Sequence, residues 1–569
     1  MRKFVFALLF LAVGGAAALA DDAAGQKKAA LVPEQPRTME EVVRRVVDNE
    51  NHMYGRMKEY SPLVETYIQN LKPDKDLGEI PAGDRYFLGK ADFSKTVALV
   101  SLTDTNSKGK KIFSGIGNFF SFAMQYLPDG FLQMIFIDTS GFDAAHYKFD
   151  YVRREFLGEV RCLVFDVTPL PKSGKGRFLG RIWVEDQDFN VVRFNGGYGG
   201  NGHSSWYFHF DSWRSNVQPG MWMPTFVYSE EKNLHYALSK KLEFKAQTRL
   251  WGYNLGHASQ EQELSKILVE TPVTDETSTA NDLSPIQAQR QWDHQAEDNV
   301  ADRLQRLGLI APKGDVDKIL ETVVNNLEVT NNLDIQPDVR CRVMTTTSLE
   351  SFTLGHTIVL SRGLIDVLPD EASLATLLAH ELSHVVLAHR MDSQYAFFDQ
   401  LLVEDKDAFR HFGFARTADE EKQANDKAVQ LLANSPYKNQ LGNAQLFLQA
   451  LQSRQKEIPN LISAHLGNRV PNLPNLPSTA STDPKQNTQK IAALPIGGRV
   501  KLDPWTDKLE MIKSKPTGTV AEREKMPFEV TPFMPYLTRF GSEGAKPVAA
   551  SATPAPDASK PGDPAPVKP

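Results

Sequence analysis

Residues 374–389 read Leu-Ala-Thr-Leu-Leu-Ala-His-Glu-Leu-Ser-His-Val-Val-Leu-Ala-His, and this stretch decides how the C-terminal half of the chain is organised. Its leucines and valines recur at helical spacing, and Asp370 and Glu371 stand where the start of a helix favours negative charge. The stretch is therefore predicted to form one helix.

Within this helix, His380, Glu381 and His384 form the pattern H-E-x-x-H. Side chains four residues apart lie on the same helical face, so both imidazoles can bind one ion. Zn²⁺ held in this way lowers the pKa of a water molecule, and Glu381 is placed to take its proton as the water attacks a carbonyl. The alternative is a pair of core histidines with other polar partners.

A catalytic zinc site needs a third protein ligand, and residues 417–432 form a second predicted helix that can supply one. Thr417 and Glu420 fit a capping box, in which the glutamate turns back to the start of its own helix. Glu421 is then the carboxylate left for the metal, and Asn425 can accept a hydrogen bond from a ligand histidine. The alternative for Glu421 is a solvated charge on an exposed helix.

The pattern His380-Glu-Leu-Ser-His384, followed by Glu421-x-x-x-Asn425, resembles the M48-type zinc metallopeptidases. These are gluzincins of the HtpX and BepA kind, with H-E-x-x-H followed by E-x-x-x-D. Residues 358–380 also look like the family's strand, its R-G-L segment and its active-site helix, and the resemblance covers residues 315–469. It implies a zinc metalloendopeptidase with one Zn²⁺ per chain, held by His380, His384 and Glu421, and with Glu381 as the general base.

Two positions depart from the family pattern. His465 lies where the family often has a histidine that steadies the oxyanion, but the residues around it differ, and a surface histidine is the alternative. Asn425 stands where the family has Asp, and an amide brings no charge to raise the basicity of a ligand histidine. The resemblance therefore implies weaker zinc binding or altered activity, with the ligands and the base all present.

The first twenty residues have the pattern of a signal peptide. Arg2 and Lys3 precede an apolar run, and small residues at 18–20 suit cleavage. The apolar run is too short to span a bilayer comfortably, and no later stretch reaches the length of a transmembrane helix. We therefore expect a periplasmic protein, with full secretion as the second choice, and contact with a membrane surface or with envelope proteins stays open.

Composition limits the remaining possibilities. A chain of 569 residues has room for two to three domains, and a net charge of −6 provides no basic surface for nucleic acid. The partners expected are protein or peptide substrates, and the oligomeric state does not follow from the sequence. Cys162 and Cys341 either form a disulfide or are two small buried side chains.

The N-terminal half changes from a predicted helix over residues 39–71 to short strands separated by turns over residues 83–253. This spacing predicts an antiparallel curved sheet or half-barrel. The strand order loosely resembles the LolA-like lipoprotein carriers, which implies a cavity for a lipid or an extended peptide, with a structural β-domain as the alternative. In the C-terminal half, residues 356–360 are the predicted edge strand for pairing with substrate, and the aromatic residues of 391–416 predict a lid or core packing.

The predicted fold class is α+β, with an antiparallel β-rich domain followed by a mainly helical peptidase domain that carries a small sheet. The predicted segments are a signal peptide (1–20), a helix plus β domain (21–270), a linker (271–285), the peptidase domain (286–470), a flexible connector (471–490), an ordered irregular segment (491–540) and a disordered tail (541–569). The function expected is zinc-dependent proteolysis in the cell envelope, for instance in protein quality control. The alternative from another class is a protein that binds lipid, lipoprotein or client proteins and has an inactive or structural zinc site.

Overall fold

The N-terminal half folds around one large antiparallel sheet. The computed structural model describes residues 36–75, 78–103, 126–199, 208–237, 240–256, 285–389, 405–464, 466, 471, 473, 476, 500–511 and 537–541. The sheet has the order β3-β2-β1-β10-β9-β8-β7-β6-β5-β4, with every neighbouring pair antiparallel. Its strands are β1 (Leu63–Asp74), β2 (Gly78–Asp92), β3 (Ala98–Ser101), β4 (Tyr147–Leu157), β5 (Val160–Pro169), β6 (Arg177–Glu185), β7 (Val191–Gly199), β8 (Phe210–Gln218), β9 (Met221–Ala237) and β10 (Lys240–Trp251).

Strand β1 corrects the helix predicted over residues 39–71. Helix α1 (Met39–Met57) ends before it, and residues 63–71 lie between β2 and β10. Leu63 and Tyr67 face one hydrophobic core, whereas Val64 and Ile68 face the other. Both faces of β1 are buried, so its apolar residues do not alternate with polar ones. The pairs Leu63-Val64 and Tyr67-Ile68 stand four residues apart in the sequence, which imitates helical spacing.

The two faces of the sheet are covered by different parts of the chain. Helix α1 and helix α2 (Pro128–Gln133) contribute to the core on one face. Arg214 of β8 holds α1 in place through two hydrogen bonds of 2.7 Å to the carboxylate of Glu50, and both side chains are buried. The other face shares one continuous core with the C-terminal half. The sheet is less covered towards β4, where Phe156 of β4 and Leu179 of β6 are exposed at 66% and 47%.

The C-terminal half is mainly helical around a small three-stranded sheet. Its elements are α3 (Pro285–Arg306), α4 (Asp315–Thr330), β11 (Arg340–Met344), β12 (Ser351–Leu354), β13 (Thr357–Ser361), α5 (Arg362–Val367), α6 (Glu371–Val386), α7 (Asp405–His411), α8 (Ala418–Ala433), α9 (Leu441–Arg454) and α10 (Pro459–Ile462). The predicted fold class, an antiparallel β-rich half followed by a helical half with a small sheet, is confirmed.

The order of the small sheet corrects the predicted substrate-pairing strand. Strand β13 lies in the middle, parallel to β11 and antiparallel to β12. Residues 356–360 therefore have neighbours on both sides and cannot pair with a further strand, and the edge strand on that side is β12. The sequence could not show this, because side-chain patterns identify strands but do not give their lateral order.

The loop between β11 and β12 connects the two halves of the molecule. The backbone N–H of Thr347 donates to Glu65 of β1 at 2.7 Å, and Tyr86 donates to the same carboxylate at 2.9 Å. Gly363, the glycine of the R-G-L segment, packs against this loop so closely that a Cβ would lie 2.1 Å from the Thr347 carbonyl oxygen. The β-sheet thus anchors the loop that leads directly into edge strand β12.

A C-terminal hairpin also contacts both halves. It consists of β14 (Val500–Leu502) and β15 (Leu509–Met511). The N–H of Val500 donates to Asp366 of α5 at 2.8 Å, while Asp507 in the turn accepts from the N–H of Gly252 at 2.9 Å. The part of the predicted irregular segment that is described is therefore a hairpin, followed by residues 537–541, which bond to Glu159 in the turn between β4 and β5.

The two cysteines are not paired. Cys162 lies in β5 and Cys341 in β11, and both are free and buried. Burial raises the pKa of the Cys162 thiol to about 12 and raises that of Cys341 as well, so both thiols behave as small apolar side chains. The predicted signal peptide and most of the predicted linker, connector and tail lie outside the described residues.

Candidate metal centre

Helix α6 holds both histidines of the H-E-x-x-H pattern. It starts at Asp370, whose side chain accepts from the N–H of Ser373 at 2.8 Å, as an N-cap does. It ends at residue 386, and the left-handed backbone of Ala388 (φ 52°) turns the chain back. Small and apolar side chains bury most of the helix, so the two histidine rings are fully buried as well.

Helix α8 brings Glu421 to these rings. The predicted capping box is confirmed, since Thr417 accepts from the N–H of Glu420 and the Glu420 carboxylate accepts from the N–H of Thr417. The Glu420 carboxylate therefore caps the start of its own helix. Ala424 and Ala428 are fully buried, and these small side chains let α8 lie close to α6.

Three potential ligand atoms converge at this point. The Nε2 atoms of His380 and His384 lie 3.3 Å apart, and Glu421 oxygens lie 3.3 Å from the first and 3.9 Å from the second. Two ligand atoms each about 2.05 Å from a tetrahedral zinc ion are about 3.3 Å apart. The separations in the structure and the His₂Glu donor set therefore fit a zinc ion with a fourth position open.

The surroundings of the two histidines shift their pKa values in opposite directions. Burial alone would lower the pKa of His380, but the hydrogen bond that its ring donates to Glu421 and the charges of Glu381 and Glu421 raise it. Burial lowers the pKa of His384 to about 2, with a smaller contribution from the positive charge of Arg416. His384 is therefore neutral at ordinary pH, which is the form that binds a metal ion.

Glu381 lies beside the cluster and is not part of it. Its carboxylate is fully buried and accepts two short hydrogen bonds, from Ser351 Oγ and Thr353 Oγ1, each 2.6 Å long. Both hydroxyls belong to edge strand β12, so this strand fixes the orientation of the carboxylate. The side chains of Ser351 and Thr353 are functional candidates that sequence reasoning missed, because the link between β12 and α6 exists only in three dimensions.

The outer ring nitrogens of the two histidines have different surroundings. Nδ1 of His384 lies 2.8 Å from Nδ1 of His389, a partner that was missed, although its position five residues further along the chain was a visible signal. Nδ1 of His380 and Oδ1 of Asn425 are both buried and make no standard hydrogen bond. Asn425 nevertheless contributes to raising the pKa of His380, so the amide lies beside that ring, and its role as a hydrogen-bond acceptor stays a prediction.

The chain segment before α8 covers the edge strand. Phe414 stacks on Phe352 of β12, with ring centroids 4.5 Å apart and planes at 6°. Arg416 donates to the backbone carbonyl of Thr353 at 3.0 Å, and burial lowers the pKa of its guanidinium. Of the aromatic residues predicted as a lid or as core, those described in this segment are therefore buried, while residues 390–404 lie outside the described residues.

His465, predicted as a possible oxyanion residue, also lies outside the described residues.

Among the helices that the structure describes, none is both long enough and apolar enough to span a bilayer.

Comparisons with known proteins give a family match for part of the chain and similarity to solved structures. Among solved structures, the chain is similar to a Vibrio parahaemolyticus domain provisionally described as an outer membrane lipoprotein-sorting protein. The identity is 10%, the match covers 37% of this chain and 91% of that one, and the TM-score is 0.21. No curated protein matches the chain. Residues 311–458, which contain the three converging side chains and Glu381, match the model of peptidase family M48.

Proposed function

We propose that this protein is a zinc-dependent metalloendopeptidase that hydrolyses peptide bonds of proteins in the cell envelope. The observation that carries the proposal is the convergence of His380, His384 and Glu421 within a few ångströms, next to a buried carboxylate at Glu381. A zinc ion held by these three side chains would supply an electrophile for the substrate carbonyl and would favour ionisation of water.

Glu381 is the residue that moves the proton. It takes a proton from the attacking water as the new C–O bond forms, and it then gives this proton to the amine nitrogen, which leaves as the C–N bond breaks. The hydroxyls of Ser351 and Thr353 hold the carboxylate in one orientation during this transfer. They belong to β12, so the strand that orients the base also lies at the sheet edge where an extended peptide would pair.

Access to that edge requires a change in the covering segment. Arg416 donates a hydrogen bond to the Thr353 carbonyl, and Phe414 stacks on Phe352. The side chains of Arg416 and Phe414 must therefore move before a peptide backbone can form hydrogen bonds with β12. The proposed enzyme is therefore closed in the present structure, in keeping with a protease that acts on selected clients. The envelope location follows from the predicted signal peptide, and quality control of envelope proteins is the proposed role.

The test compares metal content and casein cleavage in the purified protein and three variants. Glu381→Gln should keep its zinc and lose activity, because the amide cannot accept the proton. Glu421→Ala should lose one equivalent of zinc together with activity. Glu420→Gln is the matched control, since it changes the neighbouring glutamate but preserves the capping box, and it should behave as wild type.

Two results would contradict the proposal. One is unchanged zinc content in Glu421→Ala, and the other is undiminished cleavage by Glu381→Gln. If zinc binds as expected but wild type cleaves nothing, unchanged biological function in Glu381→Gln would favour a binding protein over a client-specific enzyme.

A further inference from the structure

A second group of metal-binding side chains lies apart from the site described above. His294 and Glu297 occupy successive turns of helix α3, and His356 lies in the turn between β12 and β13. Their potential ligand atoms all lie within 4.8 Å of one another. The group shares no residue with the first site and has no part in the proposed reaction.

The distances within this group resemble those of the first site. Oε2 of Glu297 lies 3.3 Å from Nδ1 of His294 and 3.6 Å from Nδ1 of His356. Two zinc ligands in tetrahedral geometry are about 3.3 Å apart. Nδ1 of His356 is buried and makes no hydrogen bond, and a buried nitrogen without a partner is costly unless something else binds it.

The backbone around Glu297 is shaped to receive its carboxylate. The N–H of His356 donates to Glu297 Oε2 at 3.3 Å. Gly355 has a left-handed backbone (φ 52°), and a Cβ at this position would lie 1.6 Å from the carboxylate carbon of Glu297. Only glycine leaves this space open, so the hairpin turn and helix α3 fit together around the carboxylate.

We propose that His294, Glu297 and His356 form a second binding site for a divalent transition-metal ion of the Zn²⁺ class. Two imidazoles and one carboxylate suit zinc, whereas magnesium and calcium prefer oxygen ligands only. The three side chains are partly exposed, at 31%, 13% and 23%, so water completes the coordination. The bound ion links α3 to the hairpin whose β12 strand orients Glu381, and its role is structural.

The experiment measures metal stoichiometry in metal-depleted protein titrated with Co²⁺ and Zn²⁺. Wild type should bind two equivalents, and Glu297→Gln and His356→Ala should each bind one. Affinity at the second site should weaken at least about 100-fold, because loss of even an outer partner of a ligand costs about 10–100-fold. In a Glu421→Ala background, one equivalent should remain, and it should disappear when Glu297→Gln is added.

The matched control is His146→Ala. His146 lies 2.7 Å from the carboxylate of Asp143, also three residues away, but this pair has no third ligand among the described residues. The metal stoichiometry of the His146→Ala variant should equal that of wild type. Glu297→Gln keeps an acceptor for the His356 N–H, so it gives a folded variant even if His356→Ala does not fold.

A second readout is thermal unfolding. Zinc added to the Glu421→Ala protein should raise Tm, because an ion that binds only the folded state stabilises it, and this rise should vanish with Glu297→Gln. The proposal is overturned if wild type binds a single equivalent that Glu297→Gln leaves unchanged. Failure of the proposed peptidase site would instead appear as no loss of metal in Glu421→Ala, so the two failures are distinguishable.

Discussion

We predict that Asp507 makes the stability of the folded protein depend on pH. Its side chain is 5% exposed and accepts one hydrogen bond, from the N–H of Gly252. Burial raises the pKa of this carboxyl from 3.8 to about 7, with a smaller contribution from the charge of Asp503. The folded protein thus favours the neutral acid, whereas the unfolded chain ionises near the ordinary pKa.

The sign and size of the effect follow from this shift. A raised pKa contributes stability that is present below about pH 4 and is lost as the pH rises to about 7. One pKa unit corresponds to about 1.4 kcal/mol, so the loss reaches about 4 kcal/mol at most. Asp507→Asn is neutral at every pH, keeps the acceptor for Gly252 and tolerates the left-handed backbone at this position (φ 57°).

The assay is urea unfolding of both proteins at about pH 5.5 and about pH 8. The variant should be the more stable of the two, and its advantage should grow by about 2 kcal/mol between these values. Asp84, whose pKa burial raises to about 6, contributes equally to both proteins and cancels in the difference. Asp503→Asn, in the same turn but partly exposed, is the control and should show only a small part of this gain, because it removes the minor contribution of the Asp503 charge to the Asp507 pKa.

The reasoning about Asp507 is wrong if Asp507→Asn is less stable than wild type at about pH 8. It is also wrong if the difference between the two proteins does not change with pH, since a gain from packing alone would be the same at both values.

Three further predictions concern the buried ion pair and the metal centre. Glu50→Ala should lower the free energy of unfolding by about 3–5 kcal/mol, because it leaves the buried Arg214 guanidinium without its carboxylate. Asp166→Ala, which breaks a partly exposed pair, is the control in the same denaturation assay and should cost at most about 1 kcal/mol. Thr353→Val should keep the zinc content but lower kcat/KM about 10–100-fold, since a hydrogen bond to the charged Glu381 contributes about 1.5–3 kcal/mol. Unchanged kcat/KM would show that the Thr353 hydroxyl does not orient the base. Asn425→Asp should tighten zinc binding about tenfold, because a carboxylate raises the basicity of the first ligand histidine, and equal affinity measured by competition with a chelator would exclude that role.

The structure also changes how the β-rich half is interpreted. The sequence left open a cavity for lipid or extended peptide or a structural β-domain, and each face of the sheet carries a hydrophobic core over the described residues. The contact through Glu65 and Thr347 places the sheet directly behind the loop that leads into β12. The sheet therefore contacts the loop that leads into the strand that orients Glu381, and this contact favours the structural alternative for this half of the chain.

The features that could be read from the sequence are those that depend on local spacing. Helix α6 with its two histidines one turn apart, and the capping box of Thr417 and Glu420 that leaves Glu421 unused, both follow from interactions within a few residues. The alternating strands of the β-rich half follow from the same kind of local pattern. Strand β1 was missed because burial on both faces removes that alternation.

Other features depend on which elements lie side by side, and only the tertiary structure decided them. The placement of β13 between β11 and β12 moved the sheet edge to Ser351–Leu354. The hydroxyls on Glu381 and the meeting of His356 with Glu297 join residues 28 to 59 positions apart in the chain. Local periodicity carries no information about such pairs, because they form only when the packing of whole elements brings their surfaces together.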